Sequence, residues 1–178
     1  MIRVFVGIPI SEELREKIGK WAESHKDWPL RFVSGTGLHI TLVPPWYAEN
    51  SDCAVGQLDD IATAVKPFNI KFKKITFGTS SKRPRLIWTM GEDYDKEGML
   101  RLKAVAEAVF GQKPEVRPYS PHLTIARFKE EDFGKMPTKE LDENVDWEME
   151  VNFVVLYESK LHHSGAEYEI LKKIELKG

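Results

Sequence analysis

The chain has 178 residues, of which 42% are hydrophobic, and a formal net charge of −2. Its length predicts one domain or two closely packed lobes. Its net charge argues against a protein that coats long nucleic acid through phosphate contacts alone. Recognition of one nucleotide or one RNA end remains compatible with this charge. The single Cys53 excludes an internal disulfide and a cysteine-based zinc cluster.

The first half of the chain begins with a strand and a helix. Residues 2–8, "IRVFVGI", are rich in β-branched and aromatic types and predict a buried strand. Ser11 is a suitable helix N-cap and is followed by two glutamates in the first turn. The apolar residues from Leu14 to Trp21 share one helical face, and we expect the helix to end near His25.

Two short strands, a second helix and a longer strand complete this half. Strands are predicted at "RFV" (31–33) and "LHITLV" (38–43), and the second is expected to stop at Pro44-Pro45 because proline cannot donate to a sheet. A helix is predicted from Cys53 to Val65. The segment "FNIKFKKITFG" (68–78) alternates as a strand does.

The second half repeats this plan. A strand at "RLIWTMG" (85–91), an amphipathic helix from Met99 to Phe110 and a strand at "PHLTIARF" (121–128) are predicted in that order. The tail predicts two more strands, "EVNFVVLYESKL" (150–161) and "YEILKKIEL" (168–176). Residues 129–148, which are charged and contain proline, are predicted to be the most mobile loop.

Each half carries a histidine and a threonine two residues apart inside an apolar strand. Successive side chains of a strand point to opposite faces, so His39 and Thr41 share one face, as do His122 and Thr124. One such motif is typical of an ordinary half-exposed strand. Two copies in matching apolar settings indicate a shared site.

Phosphodiester hydrolysis gives a chemical reason for such a pair. The reaction needs a base to activate the nucleophile and an acid to protonate the leaving oxygen, and histidine suits both roles because its pKa lies near neutral. Threonine hydroxyls can donate hydrogen bonds to the non-bridging phosphate oxygens. Two facing motifs would therefore hold one phosphate from both sides without a metal ion.

With these motifs in place, the sequence resembles the 2H phosphoesterase superfamily, and most closely the RNA 2′,3′-cyclic phosphodiesterases, also called 2′-5′ RNA ligases. "RVFVGI" is similar to the opening strand of the family, and "LHITL" and "PHLTIAR" to its two signature motifs. "RPRLIW" (83–88) resembles the segment between them, and "YESKLHHSGAEYEIL" the closing hairpin. The resemblance covers nearly the whole chain.

The resemblance implies a bilobal α+β fold in which residues 1–178 form a single domain of two pseudo-symmetric lobes. Two antiparallel sheets would form a V-shaped central cleft with helices on the outside, and each lobe would contribute one His-x-Thr motif. The family opens terminal 2′,3′-cyclic phosphates to 2′-phosphomonoesters without a metal or cofactor. Its members can also join or cleave 2′-5′ linkages.

One segment departs from the family pattern. Family members usually follow the first motif with Phe-Leu-Gly, whereas "VPPW" stands in this place. The histidine and threonine are unaffected. Pro44, Pro45 and Trp46 are expected to reshape the rim of the cleft, so the departure bears on the choice of substrate.

Four further residues are candidates for substrate contacts. Arg127 matches an arginine that the family places near the phosphate, but strict strand alternation would turn it away from His122 unless the strand ends or bulges. Phe5 matches a cleft-facing aromatic that could stack on a base, with burial in the core as the alternative. Arg83 and Arg85 are candidates for RNA phosphate contacts, with a solvated loop as the alternative.

His162 and His163 raise the competing interpretation of a metal site. Adjacent strand residues point to opposite faces, so the two rings cannot easily bind one ion. No metal-ligand spacing accompanies them in the sequence. A turn before Ser164-Gly165 is the better interpretation, and no metal site is predicted.

We therefore predict a metal-independent phosphodiesterase that acts on RNA 3′ ends or small cyclic nucleotides, as a cytoplasmic monomer without a cofactor or membrane contact. His39 and His122 are the predicted acid–base pair, with their assignment open, and Thr41 and Thr124 bind the phosphate. One alternative is an enzyme for 2′-5′-linked oligonucleotides or another small cyclic phosphate. A second is a non-catalytic nucleotide- or RNA-binding module, which would not need two titratable rings.

Overall fold

Antiparallel strands dominate the structure, a computed structural model that describes residues 1–80 and 82–178. Within these residues the strands are β1 (Ile2–Pro9), β2 (Arg31–Phe32), β3 (His39–Ala48), β4 (Phe68–Gly78), β5 (Leu86–Tyr94), β6 (His122–Arg127), β7 (Asp142–Val151), β8 (Phe153–His162) and β9 (Gly165–Glu175). The α-helices are α1 (Glu12–Ser24), α2 (Ser51–Gln57) and α3 (Lys96–Val109). None of the described helices has the length and apolar character needed to cross a membrane.

The strands form two groups of four that meet at a narrow seam. One group runs β7-β4-β5-β6, the other runs β3-β1-β8-β9, and β2 pairs with β6. Within the described residues the groups pair through β3 and β6 at one position, where Ile40 lies opposite Leu123. Through this pairing the nine described strands form one continuous sheet, and its two halves, referred to below as the two sheets, correspond to the two antiparallel sheets that the resemblance implies.

One of the two sheets is built from both ends of the chain. Residues 2–48 and 153–175 supply the strands of the sheet that contains β3, whereas residues 68–151 supply the four strands that run from β7 to β6. Each sheet holds one His-x-Thr strand. The strand predicted over 150–161 is divided at Asn152, because the chain passes there from one sheet to the other.

Helix α1 forms as the sequence predicts. Ser11 Oγ accepts a hydrogen bond from the Leu14 backbone N–H at 3.2 Å and caps the first turn, and His25 is the C-cap. Trp21 on the buried face donates from Nε1 to Glu143 of β7 at 3.0 Å. The helix of the first half therefore packs on the sheet of the second half.

The expectation that β3 stops at Pro44-Pro45 is wrong. The strand continues through both prolines, which are exposed. Its pairing with β1 passes from Val43–Val6 to Trp46–Val4, so a β-bulge accommodates one extra residue of β3. On its other side β3 has already parted from β6, so the missing proline N–H groups interrupt no ladder there.

Two helix boundaries also differ from the expectation. The helix expected over 53–65 ends at Gln57, and residues 58–61 tighten into a 3₁₀ helix. Helix α3 begins at Lys96, before the expected Met99, because the Asp95 carboxylate accepts a hydrogen bond from the Gly98 N–H at 2.9 Å. At α3 the capping side chain, rather than the apolar face, sets the boundary.

Residues 129–148, expected to be a mobile loop, contain a 3₁₀ helix and most of β7. In β7 the buried residues Trp147, Met149 and Val151 alternate with exposed glutamates. This alternation is typical of an edge strand with one solvated face. The loop prediction was wrong because it gave weight to the charge of the segment and overlooked its period.

Truncation of Ile40 should destabilise the fold. Its side chain is 0% exposed at the seam, so Ile40→Ala is expected to lower the free energy of unfolding by about 2–5 kcal/mol through lost contacts and the resulting cavity. The control Leu161→Ala, at a residue 64% exposed, should change it by less than about 0.5 kcal/mol. Urea unfolding followed by circular dichroism measures both variants, and equal effects would contradict this core.

Candidate active site

The pairing of Ile40 with Leu123 aligns the two His-x-Thr motifs. Ile40 is the middle residue of the first motif (39–41) and Leu123 that of the second (122–124). In an antiparallel ladder this register places each histidine across from the threonine of the other motif. Both apolar residues are 0% exposed, so they anchor the strands in the core while the four polar side chains face the opposite side.

That opposite side is a cleft of about 860 Å³ between the two sheets. His39, Thr41, His122 and Thr124 all line it. The volume lies in the range of small-molecule sites. The structure therefore brings together the two motifs that the sequence predicted to form one site.

His39 sits on an aromatic floor. Its ring centroid lies 4.7 Å from that of Phe5, 5.4 Å from that of Tyr157 and 5.3 Å from that of Tyr168. Its Nδ1 atom is buried and has no hydrogen-bond partner of normal geometry among the described residues. These contacts fix the ring through packing.

The same surroundings lower the pKa of His39 from 6.5 to about 4. Burial is the main cause, because it disfavours the charged ring. The nearby backbone carbonyls of Thr36 and Gly37 favour the protonated form and partly oppose this effect, whereas the positive charges of Arg127 and His122 add to it. At neutral pH His39 is a neutral imidazole that can accept a proton.

His122 has a different environment. Its Nδ1 lies 3.0 Å from the Ser120 carbonyl, and because a carbonyl only accepts, Nδ1 carries the hydrogen in this contact. The ring is half-buried and lies beside Trp88 at a centroid distance of 5.1 Å. Nε2 is thus the nitrogen left to exchange a proton with a ligand.

Arg127 reaches the cleft because β6 bulges. In the pairing with β5, Ile87 lies opposite Ala126 and Trp88 lies opposite Thr124, so Ile125 is an extra residue. A bulge reverses the alternation beyond it, and Arg127 accordingly lines the same cleft as Thr124. The structure therefore contains the irregularity that a cleft-facing Arg127 requires.

The other predicted contact residues lie elsewhere. Phe5 borders the cleft but is 1% exposed, and it stacks on Tyr157 with ring centroids 4.7 Å apart. Its ring supports His39 and leaves no open face for a base, so the alternative of burial applies. Arg83 and Arg85 lie outside the cleft lining, exposed and paired with Glu130 at 3.5 and 3.8 Å.

Of the three residues expected to reshape the rim, one reaches the cleft lining. Pro45 lines the cleft. Trp46 instead packs against Phe110, with ring centroids 5.0 Å apart. Beyond the seam, β3 thus supplies a rigid, apolar edge to the site through Pro45.

The closing hairpin adds residues that the sequence interpretation missed. His162, Ser164 and Tyr168, at and beside the β8–β9 turn, line the cleft, as does Arg31 of β2. Thr36 Oγ1 donates to the Tyr168 carbonyl at 2.6 Å and holds the hairpin against the loop before β3. The similarity of "YESKLHHSGAEYEIL" to the closing hairpin of the family was the available signal in the sequence. It did not indicate which residues of the hairpin would line the cleft.

His162 and His163 do not form a metal site within the described part of the chain. No group of three or more His, Cys, Asp or Glu residues there is arranged to hold a metal ion. His162 Nε2 instead lies 3.3 Å from a Glu167 oxygen. His163 stands in the turn, as predicted.

Two buried donors brace β3 where it leaves the seam. The Tyr119 hydroxyl donates to the Thr41 carbonyl at 2.8 Å, and Lys103 Nζ donates to the Leu42 carbonyl at 2.7 Å. Lys103 is also paired with Glu107 at 2.8 Å, and both side chains are 7% exposed. These bonds satisfy carbonyls that have no strand partner on this side and so hold Thr41 in place.

Comparison with known proteins agrees with this geometry. The family model for the 2′-5′ RNA ligase superfamily matches residues 7–163. An RNA 2′,3′-cyclic phosphodiesterase of Methanocaldococcus jannaschii is 30% identical over 177 residues, 97% of this chain and 99% of the relative. One of Bacillus subtilis is 32% identical over 129 residues, 69% of each chain.

The fold is shared with solved structures. The crystal structure of TT0787 of Thermus thermophilus superposes with a TM-score of 0.74 and 23% identity over 99% of both chains. Apo LigT of E. coli superposes with a TM-score of 0.73 and 23% identity over 99% of this chain and 98% of that one. The predicted α+β fold is confirmed.

A titration of the histidine rings tests the environment of His39. The His39 pKa is expected near 4, below its usual 6.5, because burial disfavours the charged ring. Between pH 4 and 6.5 the unfolded chain binds more protons at this residue than the folded chain does. The free energy of unfolding should therefore be highest above about pH 6.5 and should fall as the pH is lowered towards 4. NMR of the imidazole carbons measures the pKa directly.

The variant His39→Gln is the control for this linkage. It lacks the titrating ring, so its unfolding free energy should fall less steeply than that of the wild type as the pH is lowered from 6.5 to 4. Parallel pH dependences, or a His39 midpoint at its usual 6.5, would show that the ring is not desolvated as described.

Proposed function

Because the chain belongs to the 2′-5′ RNA ligase superfamily, as its two motifs predicted, we propose that it hydrolyses 2′,3′-cyclic phosphates at RNA 3′ ends or on nucleosides to 2′-phosphomonoesters. The observation that carries the proposal is the register at Ile40–Leu123, which aligns both motifs across one cleft. The names of the relatives from Methanocaldococcus jannaschii and Bacillus subtilis support the substrate class.

The proposed reaction needs one base and one acid. His39 takes a proton from the attacking water, and the new P–O bond forms as the bond from phosphorus to the 3′ oxygen breaks. His122 gives a proton to that oxygen, so the products are a 3′ hydroxyl and a 2′-phosphomonoester. The proton transfers balance, because His39 gains one proton and His122 loses one proton in each turnover.

The two environments support this assignment of roles. The lowered pKa keeps His39 neutral at pH 7, which is the form a base needs. His122 is more exposed, and its Nδ1–H bond to Ser120 directs Nε2 to proton exchange. Binding of an anionic phosphate should raise the pKa of His39 from its low value and so strengthen it as a base.

The threonines and Arg127 hold the phosphate. Thr41 and Thr124 donate hydroxyl hydrogen bonds to its non-bridging oxygens, where charge shifts in the transition state. Arg127 adds a positive charge on the β6 wall. These groups complete a site of protein side chains, and turnover is accordingly proposed to need no metal ion.

Substitution of the four motif residues tests this mechanism. His39→Ala and His122→Ala should each lower kcat by roughly 10²–10⁴-fold because each removes a proton-transfer partner. Thr41→Ala and Thr124→Ala remove one hydrogen bond to a charged oxygen, worth about 1.5–3 kcal/mol, and should act partly through KM. Steady-state kinetics on adenosine 2′,3′-cyclic phosphate with excess chelator measures all four.

His163→Ala is the matched control, because this exposed histidine stands in the turn and lies outside the cleft lining. It should keep wild-type kinetics. Near wild-type kcat in a folded His39 or His122 variant would exclude that residue from catalysis. Activity that disappears with chelator and returns with a divalent ion would overturn the metal-independent mechanism, and no turnover by the wild type would favour a binding module.

A substrate with a better leaving group distinguishes the acid from the base. If the 3′ oxygen is replaced by sulfur, the leaving thiolate needs little protonation, so the penalty of His122→Ala should shrink by at least about tenfold. The penalty of His39→Ala should stay the same, because water still has to be activated. The opposite pattern would exchange the two roles.

A further inference from the structure

Two arginines face the cleft from neighbouring strands. Arg31 of β2 is the direct antiparallel partner of Arg127 of β6. Side chains at paired positions point to the same face with Cβ atoms roughly 4.5–5.5 Å apart, and both residues line the cleft. Like charges directly opposite each other disfavour the folded sheet, so this arrangement calls for an anion between or above them.

The described part of the protein supplies no such anion. Within residues 1–80 and 82–178 neither arginine makes an ion pair, whereas Arg83 and Arg85 share Glu130. Glu167, the acidic residue in the cleft lining, lies 3.3 Å from His162. The two guanidinium charges are therefore left for a ligand.

Arg31 is also held in a defined position. Its Nη1 donates to the carbonyl of Ser164 in the β8–β9 turn. Gly165 packs against the guanidinium, and it has a φ of 129° that other residues rarely adopt. One donor is used in this contact, so the remaining N–H groups of the planar fork stay available for a phosphate.

We propose that Arg31 binds the phosphodiester on the 5′ side of the terminal nucleoside, in a second phosphate site beside the one where Arg127 contacts the cyclic phosphate. Arg127, the strand partner of Arg31, lies three positions after Thr124, about 10 Å at most, a distance that one extended nucleotide and an arginine side chain can span. This inference rests on the proposed function and deepens it: the preferred substrate is an RNA end, and a free nucleoside cyclic phosphate fills only half of the site.

The test adds one phosphate to one substrate. Adenosine 2′,3′-cyclic phosphate and its 5′-phosphorylated form differ only in the group that Arg31 would bind. For the wild type, kcat/KM should be at least about fivefold higher for the 5′-phosphorylated substrate, mainly through KM, because a charge-assisted contact is gained. The advantage should shrink when salt is raised from about 50 to about 500 mM, because the cleft is open to solvent.

Arg31→Gln should remove this preference and bring the ratio of the two kcat/KM values close to one. Arg31→Lys keeps the charge without the fork and should retain part of the preference. Arg101→Gln, at an exposed position of α3, is the matched control and should keep the full ratio. A ratio near one in the wild type, or one that Arg31→Gln leaves unchanged, would overturn the second phosphate site.

A binding measurement keeps this inference separate from the proposed function. If the wild type turned over neither substrate, the proposed hydrolysis would fail, and the site would be judged by calorimetry with 2′-AMP and adenosine 2′,5′-bisphosphate. The bisphosphate should bind at least about fivefold more tightly to the wild type and equally to Arg31→Gln. Equal binding of both compounds to the wild type would overturn the site on its own.

Discussion

One cross-strand pair, Ile40 with Leu123, sets the geometry of the site. It is the position at which the two sheets are joined, and it lies at the centre of both motifs. A slip of β3 by one residue would turn His39 into the core and Ile40 into the cleft, and a slip of β6 would do the same to His122 and Leu123. The hydrophobic effect, acting on two residues that touch no substrate, therefore fixes the register on which the chemistry depends.

The surroundings of His39 depart from the general rule that buried polar groups are hydrogen-bonded. A titratable ring lies on three aromatic rings, and among the described residues its buried Nδ1 has no hydrogen-bond partner of normal geometry. Desolvation of this kind costs stability, since it disfavours the charged ring. It also yields a histidine that is neutral at physiological pH, the form that the proposed proton acceptor requires.

The sequence predicted the parts of the fold that depend on local pattern. The cap at Ser11 and the strand alternation at both motifs followed from residue types and spacing, and the family followed from the resemblance of the motifs to known sequences. The approach of Arg31 to Arg127 did not follow, because their strands pair across almost a hundred residues of chain. β7 was mistaken for a loop because charges on its solvated face masked the period of Trp147 and its neighbours.

The division of one sheet between the two ends of the chain has a consequence for the cleft. Hairpin β8–β9 belongs to the sheet of His39, whereas β2 pairs with the sheet of His122. The bond from Arg31 to the Ser164 carbonyl thus joins the two sheets within the cleft lining, in addition to the apolar pair at the seam. One polar and one apolar contact therefore cross between the sheets beside the cleft. The polar contact is exposed and donates from Arg31, the side chain proposed to bind a phosphate, so a substrate bound there would act on this contact and not on the seam.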